Sequence, residues 1–439
     1  EGAYQGTEGA TKSLLFSAWN VVPDVVSAML SYEADRRMAD GRMASYKNRA
    51  KQQAPLLRLN RSESGARSRH RLLLLLLPCL PLADEAHPLR APKMDDRRQW
   101  VAQRVDALLS HLPDPQEGAV DERWEWAAPL LLDPGLRDFL WAWRDDEDLP
   151  RPNEELFGQY VDDFLELDPS TLGRRPPGLA ALLVEVALGA PAIVAARSIM
   201  PAGIPDKERR GHAVRVAEAF WRLFNRPTVI TLLNQLAEAD SVSREESAYW
   251  RLVLRYCQHG NLQAVLDEQW HLLWEQQSWS SNVARSEMAQ TCTDQLVAVV
   301  KPSISRVHMR LLNPSDDDTA VSEDELRVQT DFALRFGSIR TEEGLRTADS
   351  VRDAFNSPFR PFVLASTSIG QEGLDFHPWC HSLVHWNLPG NPVDLEQREG
   401  RVHRYKGHAV RRNVASAHSA EALAAWKPGT ELWRALFAQ

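Results

Sequence analysis

Cysteine is scarce. The four cysteines among 439 residues, Cys79, Cys257, Cys292 and Cys380, stand far apart with no CxxC pair. That excludes a disulfide framework and a zinc ribbon, and it points to a reducing, cytosolic compartment. Long apolar runs are lacking too. The longest, Leu72 to Ala83, is broken by Pro78 and Pro81 and falls short of the roughly 20 residues that span a bilayer, so no membrane segment is expected. Nor is there an excess of positive charge. Fifty-one Lys and Arg against 60 Asp and Glu leave a net charge of −9, so the chain is not a polycation that coats nucleic acid; any such contact needs a local basic face. The chain starts at Glu1, without methionine or a charged-then-apolar leader, which makes a piece of a longer polypeptide the expectation. No fixed period recurs, so a solenoid is not expected.

What is present is ordinary globular composition, 44% hydrophobic and 25% charged, over a length that suits two or three domains. Lys12 to Trp19 (KSLLFSAW) reads as a short buried strand. The segment after Asn20 reads as a helix, with Val25, Met29 and Tyr32 at helical spacing. Arg36 to Arg71 holds eleven Lys and Arg against two acids, Asp40 and Glu63, and is either a solvated linker or a nucleic-acid-contacting arm. From about Trp100 to Val300 amphipathic helices predominate, with apolar stripes such as Val216, Phe220, Leu223 and Leu262, Val265, Leu266, Leu273. Tryptophans such as Trp124, Trp126, Trp141, Trp143, Trp270 and Trp274 crowd this region, and core packing is the expectation for them. Arg306 to Leu312 and Arg327 to Phe336 read as strands around an acidic loop holding Asp316, Asp317, Asp318, Glu323, Asp324 and Glu325, expected to be solvated.

The segment that carries chemistry follows. The strand-like Phe362 to Ala365 runs into a loop of small hydroxyl residues with Gly370 and Gly373, whose backbone a ligand can approach closely. Ser382 to Leu388 is a second strand. Asn391 then reads as a helix N-cap with Pro392 at the first helical position. Gln397, Arg401 and Arg404 sit at offsets of four and seven residues, so on a continuous helix they project within about 60° of one another. Paired guanidiniums fork onto phosphate oxygens and suit the stabilisation of a transferring phosphoryl group.

STSIGQEGLDFH (366–377), followed about twenty residues later by QREGRVHR (397–404), resembles motifs V and VI of the second RecA-like lobe of superfamily 2 helicases and translocases. The link WNLPGNPVDLEQREGRVHRYKGH (386–408) is most similar to the Swi/Snf-like bacterial branch, and LLFSAW resembles motif IV. The resemblance implies an α/β fold, a parallel-sheet RecA-like lobe with a large, mainly helical insertion. It implies ATP-dependent stepping along or separation of nucleic acid, most readily double-stranded DNA. Arg401 and Arg404 would be arginine fingers with Gln397 orienting around them; Gly370, Gly373, Asp375 and Gly400 would face the nucleotide; Ser366, Thr367 and Ser368 would contact nucleic acid. The expected domains are 1–38 (first strand and helix of the lobe), 39–300 (basic linker and helical insertion), 301–425 (remainder of the lobe) and 426–439 (a C-terminal helix).

Such a motor needs a first lobe with a P-loop and a magnesium-binding acidic motif. No GxxxxGKS/T occurs in the sequence. Gly6 to Ser13 lacks the Gly-Lys step and precedes a strand, whereas a P-loop follows one. Asp84-Glu85-Ala86-His87 spells an acidic box, but Pro78 and Pro81 exclude the central parallel strand such a box ends. His377, Cys380, His381 and His385 are zinc-type ligands without a fixed second cluster, and no metal is expected on them. The expectation is therefore the C-terminal half of a helicase or translocase. It would be inactive alone and would rely on a missing N-terminal lobe for ATP and most of the magnesium. The competing class is a helical scaffold or nucleic-acid-binding module with a vestigial motor lobe.

Overall fold

The computed structural model describes residues 9–38, 54–59, 70–91, 97–239, 248–278, 283–301, 305–314, 321–337, 339–341, 344–346, 348–367 and 374–439. The chain opens with β1 (Lys12–Ser17) and α1 (Val21–Met38). A helical stretch follows: α2 (Leu80–Asp84), α3 (Arg97–Leu109), α4 (Trp124–Leu132), α5 (Pro134–Asp145), α6 (Glu154–Leu165) and α7 (Leu179–Gly189). It continues through α8 (Pro191–Ile199), α9 (Asp206–Phe224), α10 (Pro227–Ala239), α11 (Tyr249–His259), α12 (Leu262–Ser278) and α13 (Arg285–Val300). The chain then returns to strands β2 (Ser305–Pro314), β3 (Val321–Thr330), β4 (Ala333–Arg335), β5 (Ile339–Thr341) and β6 (Gly344–Arg346). It closes with α14 (Ala348–Phe355), β7 (Val363–Thr367), β8 (Cys380–His385), α15 (Pro392–Glu399), α16 (His408–Ala425) and α17 (Leu432–Phe437). The residues fall into two compact units, one built on Ala54–Val297 and Ala420–Gln439, the other on Gly6–Gln53 and Ala298–Ser419. The fold is α/β, with a long helical stretch inserted in sequence between α1 and β2.

The sheet unit holds four parallel strands in the order β4-β7-β1-β8. β1 is central and apolar on both faces, as a covered parallel strand must be. Leu14 and Phe16 join Leu334, Phe355, Leu364 and Phe376 on one face, while Leu15 meets Val22, Val26 and Ala365 on the other. Lys12, at the start of β1, is buried. Its Nζ donates to the carbonyls of Ala354 (3.3 Å), Phe355 (2.9 Å) and Phe359, terminating α14. Burial holds this amine well below its ordinary pKa.

On α1 Val25, Met29 and Tyr32 are exposed, and Val22, Ser27, Ala28, Ser31 and Asp35 are buried. Small side chains let the helix lie close to the sheet, and Ser31 Oγ bonds both backbone groups of Ala333, at 3.2 and 3.1 Å. Glu323, Asp324 and Glu325 do not lie in a loop. They belong to β3, opposite Leu312, Leu311 and Arg310 in an antiparallel ladder with β2, whose backbone bonds outweigh the poor strand preference of acids. Asp316, Asp317 and Asp318 lie outside the described residues, as do most of the Arg36–Arg71 stretch and Gly6 of the Gly6–Ser13 string.

In the helical unit every residue of α8 is buried, and Trp124, Trp126, Trp143 and Trp270 are core residues, whereas Trp141 is exposed. Buried arginines hold the leucine-rich segment. Arg197 donates to the carbonyls of Leu82 and Ala83 at 2.8 Å and Ala86 at 3.2 Å, satisfying the end of α2. Asp133 caps α5, accepts from Leu80 N at 2.9 Å and pairs with Arg210 at 2.8 Å. The box-like Asp84 to His87 string belongs to this helix end. Asp84 pairs with Arg209, Glu85 lies 3.4 Å from Arg104, and His87 Nδ1 accepts from Leu89 N at 3.1 Å. Among the described residues no single helix is long and apolar enough to cross a membrane. The four cysteines are unpaired and buried.

Candidate functional site

Because β7, β1 and β8 are parallel and adjacent, their carboxyl ends share one edge, where ligands gather in open α/β sheets. Phe16 is level with Ser366 on one side and His385 on the other, and Ser17 with Thr367. Ser366 is buried and its hydroxyl donates to the Thr367 carbonyl at 3.0 Å; Thr367 is half-buried. Ser368, Gly370 and Gly373 lie outside the described residues.

Beyond β8 the chain is tied to the same edge. Trp386 N donates to the Phe16 carbonyl and Ala18 N to Asn387 Oδ1, both at 2.9 Å. Asn391 then caps α15 through a 3.0 Å bond from Val393 N, with Pro392 first in the helix. The helix ends sooner than the expected face requires. It stops at Glu399 with Gly400 as C-cap, so Arg401 and Arg404 stand on the irregular segment beyond it, while Gln397 is exposed on the helix itself. Local bonds tighten the chain past Gly400, from Arg401 N to the Arg398 carbonyl at 3.3 Å and from His403 N to the Glu399 carbonyl at 3.1 Å. Arg401's carbonyl accepts from Phe376 N at 2.9 Å, and Arg404 to Gly407 forms a turn of its own, with Gly407 N bonded to the Arg404 carbonyl at 3.0 Å.

These bonds bring the two motif-like segments together. Arg404 Nε lies 3.1 Å from Asp375 Oδ1, an exposed pair, and Asn356 Nδ2 holds the Asp375 carbonyl at 2.9 Å. His408 N donates to the His377 carbonyl at 2.8 Å, and the fully buried Arg411 donates to the carbonyls of Pro378 and, at 2.8 Å, Lys406. Arg411 fastens the 377–379 turn to the 406–408 turn. Burial lowers the pKa of His377, and burial with Arg411 and His381 nearby brings His408 down to about 4, so both rings are neutral at pH 7.

Three residues of the site escaped sequence reasoning. Phe16 is 1% exposed, and two guanidinium carbons lie near its ring centroid, that of Arg398 at 5.2 Å and that of Arg401 at 5.7 Å, within cation–π range. Arg398 is buried, and its Nη1 donates to His385 Nδ1 at 3.3 Å and, at the long limit, to the Asn387 carbonyl at 3.5 Å. His385 stacks on Phe16 with centroids 6.3 Å apart. Burial lowers the pKa of Arg398, partly offset by Asp394 one turn earlier. The available signal was position: Arg398 follows Gln397 and so points about 100° away from it, into the sheet.

An arginine paired with a carboxylate, Arg404 with Asp375, and a second, Arg401, over the Phe16 ring at a sheet's carboxyl edge offer guanidiniums that suit polyanion oxygens. Among the described residues no group of three or more His, Cys, Asp or Glu could hold a metal ion. His381 stacks on His408 at 5.3 Å, and Cys380 Sγ lies 3.2 Å from the Lys12 carbonyl, its pKa raised to about 11 by burial.

One comparison bears on the same stretch. Residues 320–406 match the family model described as helicase conserved C-terminal domain. A 56-residue stretch is 39% identical to a Bacillus subtilis (strain 168) protein named "Uncharacterized ATP-dependent helicase YqhH", covering 13% of this chain and 10% of that protein's length. No solved structure matches.

Proposed function

The chain carries a helicase C-terminal lobe, and we propose that it forms the second motor lobe of an ATP-dependent helicase or translocase of the Swi/Snf-like branch, working on double-stranded DNA. Arg401 and Arg404 are the arginine fingers, reaching the γ-phosphate of ATP held by an N-terminal lobe, and Gln397 orients around them. Asp375, with Gly370, Gly373 and Gly400, faces the nucleotide, and Ser366, Thr367 and Ser368 face the nucleic-acid backbone. The P-loop lobe supplies most of the magnesium coordination, so this chain alone turns over no appreciable ATP. The lobe comprises 1–38 and 301–425, with 39–300 as its insertion and 426–439 as a terminal helix, and the whole works in the cytoplasm.

One observation carries this reading: the Phe376 N to Arg401 carbonyl bond and the Asp375–Arg404 pair set both arginines beside the end of the 366–377 loop. Fingers of this kind are worth about 10³–10⁵ in rate. In the complete motor, Arg401→Ala and Arg404→Ala are each expected to lower ATP turnover at least about a hundredfold with unfolding midpoints unchanged. Near-wild-type turnover in either variant contradicts the finger assignment.

A further inference from the structure

We propose that a groove in the helical unit, walled by α5, α9 and α13, docks a basic segment of a protein partner that also carries apolar side chains. The groove has a volume of about 840 Å³, within the range of ligand sites, and all of its lining residues belong to the one compact unit. Its floor is apolar, with Phe139 and Ala142 from α5, Leu149 beyond it and Gly211 from α9. The charge around that floor is mostly negative and uncompensated. Asp146, Asp148 and Glu208 make no ion pair among the described residues. Against them stands Lys207, also unpaired, while Arg215 is taken by Asp294. Such a rim attracts lysine and arginine and repels phosphate, which turns the choice of occupant from nucleic acid to a basic peptide.

Two further observations point to an occupant. His212 lines the groove and is 6% exposed, and its Nδ1 is buried without a hydrogen-bond partner. Buried polar groups are nearly always paired, so this ring keeps bonding capacity that a docked segment can use. Burial, with Arg215 nearby, lowers the pKa of His212, so at pH 7 the ring is neutral and adds no positive charge against a basic partner. Gly211 is the other. It lies inside the 19-residue helix α9, where glycine weakens a helix, yet a Cβ there would meet only Leu149 Cδ2, at an ordinary 3.6 Å. Packing does not require a glycine at this position; an open floor, deep enough to take a partner's apolar side chain, does.

The test is selection of binders to the full chain from a displayed library of random peptides at physiological salt. Fluorescence anisotropy then gives Kd for the enriched peptides on wild type and variants. Enriched peptides are expected to combine lysine or arginine with leucine or phenylalanine. Gly211→Leu fills the floor and Glu208→Lys reverses the rim, and each is expected to weaken binding about tenfold or more. Should Gly211→Leu fail to fold, the exposed change Glu208→Lys decides alone. Glu117→Lys is the same reversal outside the groove and is expected to leave Kd within about twofold of wild type. An equal loss in Glu117→Lys would reduce the binding to the net charge of the chain and overturns the proposal. So do enriched peptides that are acidic or uncharged, basic peptides that bind the groove variants as tightly as wild type, or no enrichment at all. Binding of a labelled DNA duplex that Gly211→Leu abolishes would replace the peptide by nucleic acid and overturns it too.

Discussion

At the scale of the residue, the site depends on side chains whose value lies in what they hold. Phe16 belongs to the core of the sheet unit and also presents a ring to two guanidiniums. Phe16→Leu preserves most of the core volume and removes the π face. It is expected to cost less than about 1.5 kcal/mol in urea unfolding while lowering ATP turnover of the complete motor several-fold; unchanged turnover would show that the ring only packs. Ser31 is simpler. Its hydroxyl satisfies both backbone groups of buried Ala333, so Ser31→Ala leaves them unpaired and is expected to lose about 1–3 kcal/mol in the same measurement. Sequence spacing named Arg401 and Arg404 because arginine chemistry is read from residue type. It passed over Arg398 and Phe16 because a buried cation and an apolar strand residue look ordinary until the sheet brings them together.

At the scale of the element, local signals served starts better than ends. β1, β7, β8 and the Asn391–Pro392 start of α15 follow from apolar runs and cap chemistry within a few residues. α15 ends at Gly400, a local stop signal, but the bond to the Arg401 carbonyl from Phe376, twenty-five residues away, was not legible. The inward face of α1 was not legible either, since small polar residues there win by close approach rather than by apolar burial. In the helical unit, α7 ends where a Cβ on Gly189 would stand 2.4 Å from the Leu254 carbonyl oxygen, so Gly189→Ala must push α7 from α11 and is expected to lower the unfolding midpoint. α12 carries a pH dependence. Burial raises Asp267 to about 6 despite bonds from Ser198 (2.6 Å) and Gln263 (2.8 Å). Because the folded value lies above the unfolded one, its contribution is full below about pH 4 and is lost as pH rises through about 6. The stability of wild type relative to Asp267→Asn should therefore fall between pH 4 and 6 in urea titrations. A flat or rising difference contradicts this.

At the scale of the molecule, on the proposed reading, the carboxyl edge of the parallel sheet, with its arginines, is one half of a nucleotide site that another lobe completes. The sequence has no P-loop, and the box-like string at 84–87 is the end of a helix pinned by Arg197 and Arg209. The α/β class was expected from the resemblance carried by 366–377 and 397–404, not from composition or periodicity, because those two segments hold the specific pattern. The central claim is that this chain supplies its arginines to a triphosphate bound elsewhere. The most direct measurement is ATP hydrolysis by the purified chain, alone and with the P-loop lobe restored. The account predicts background turnover alone and sustained turnover once the lobe is present. Robust turnover by the chain alone, or none after the lobe is added, would contradict it.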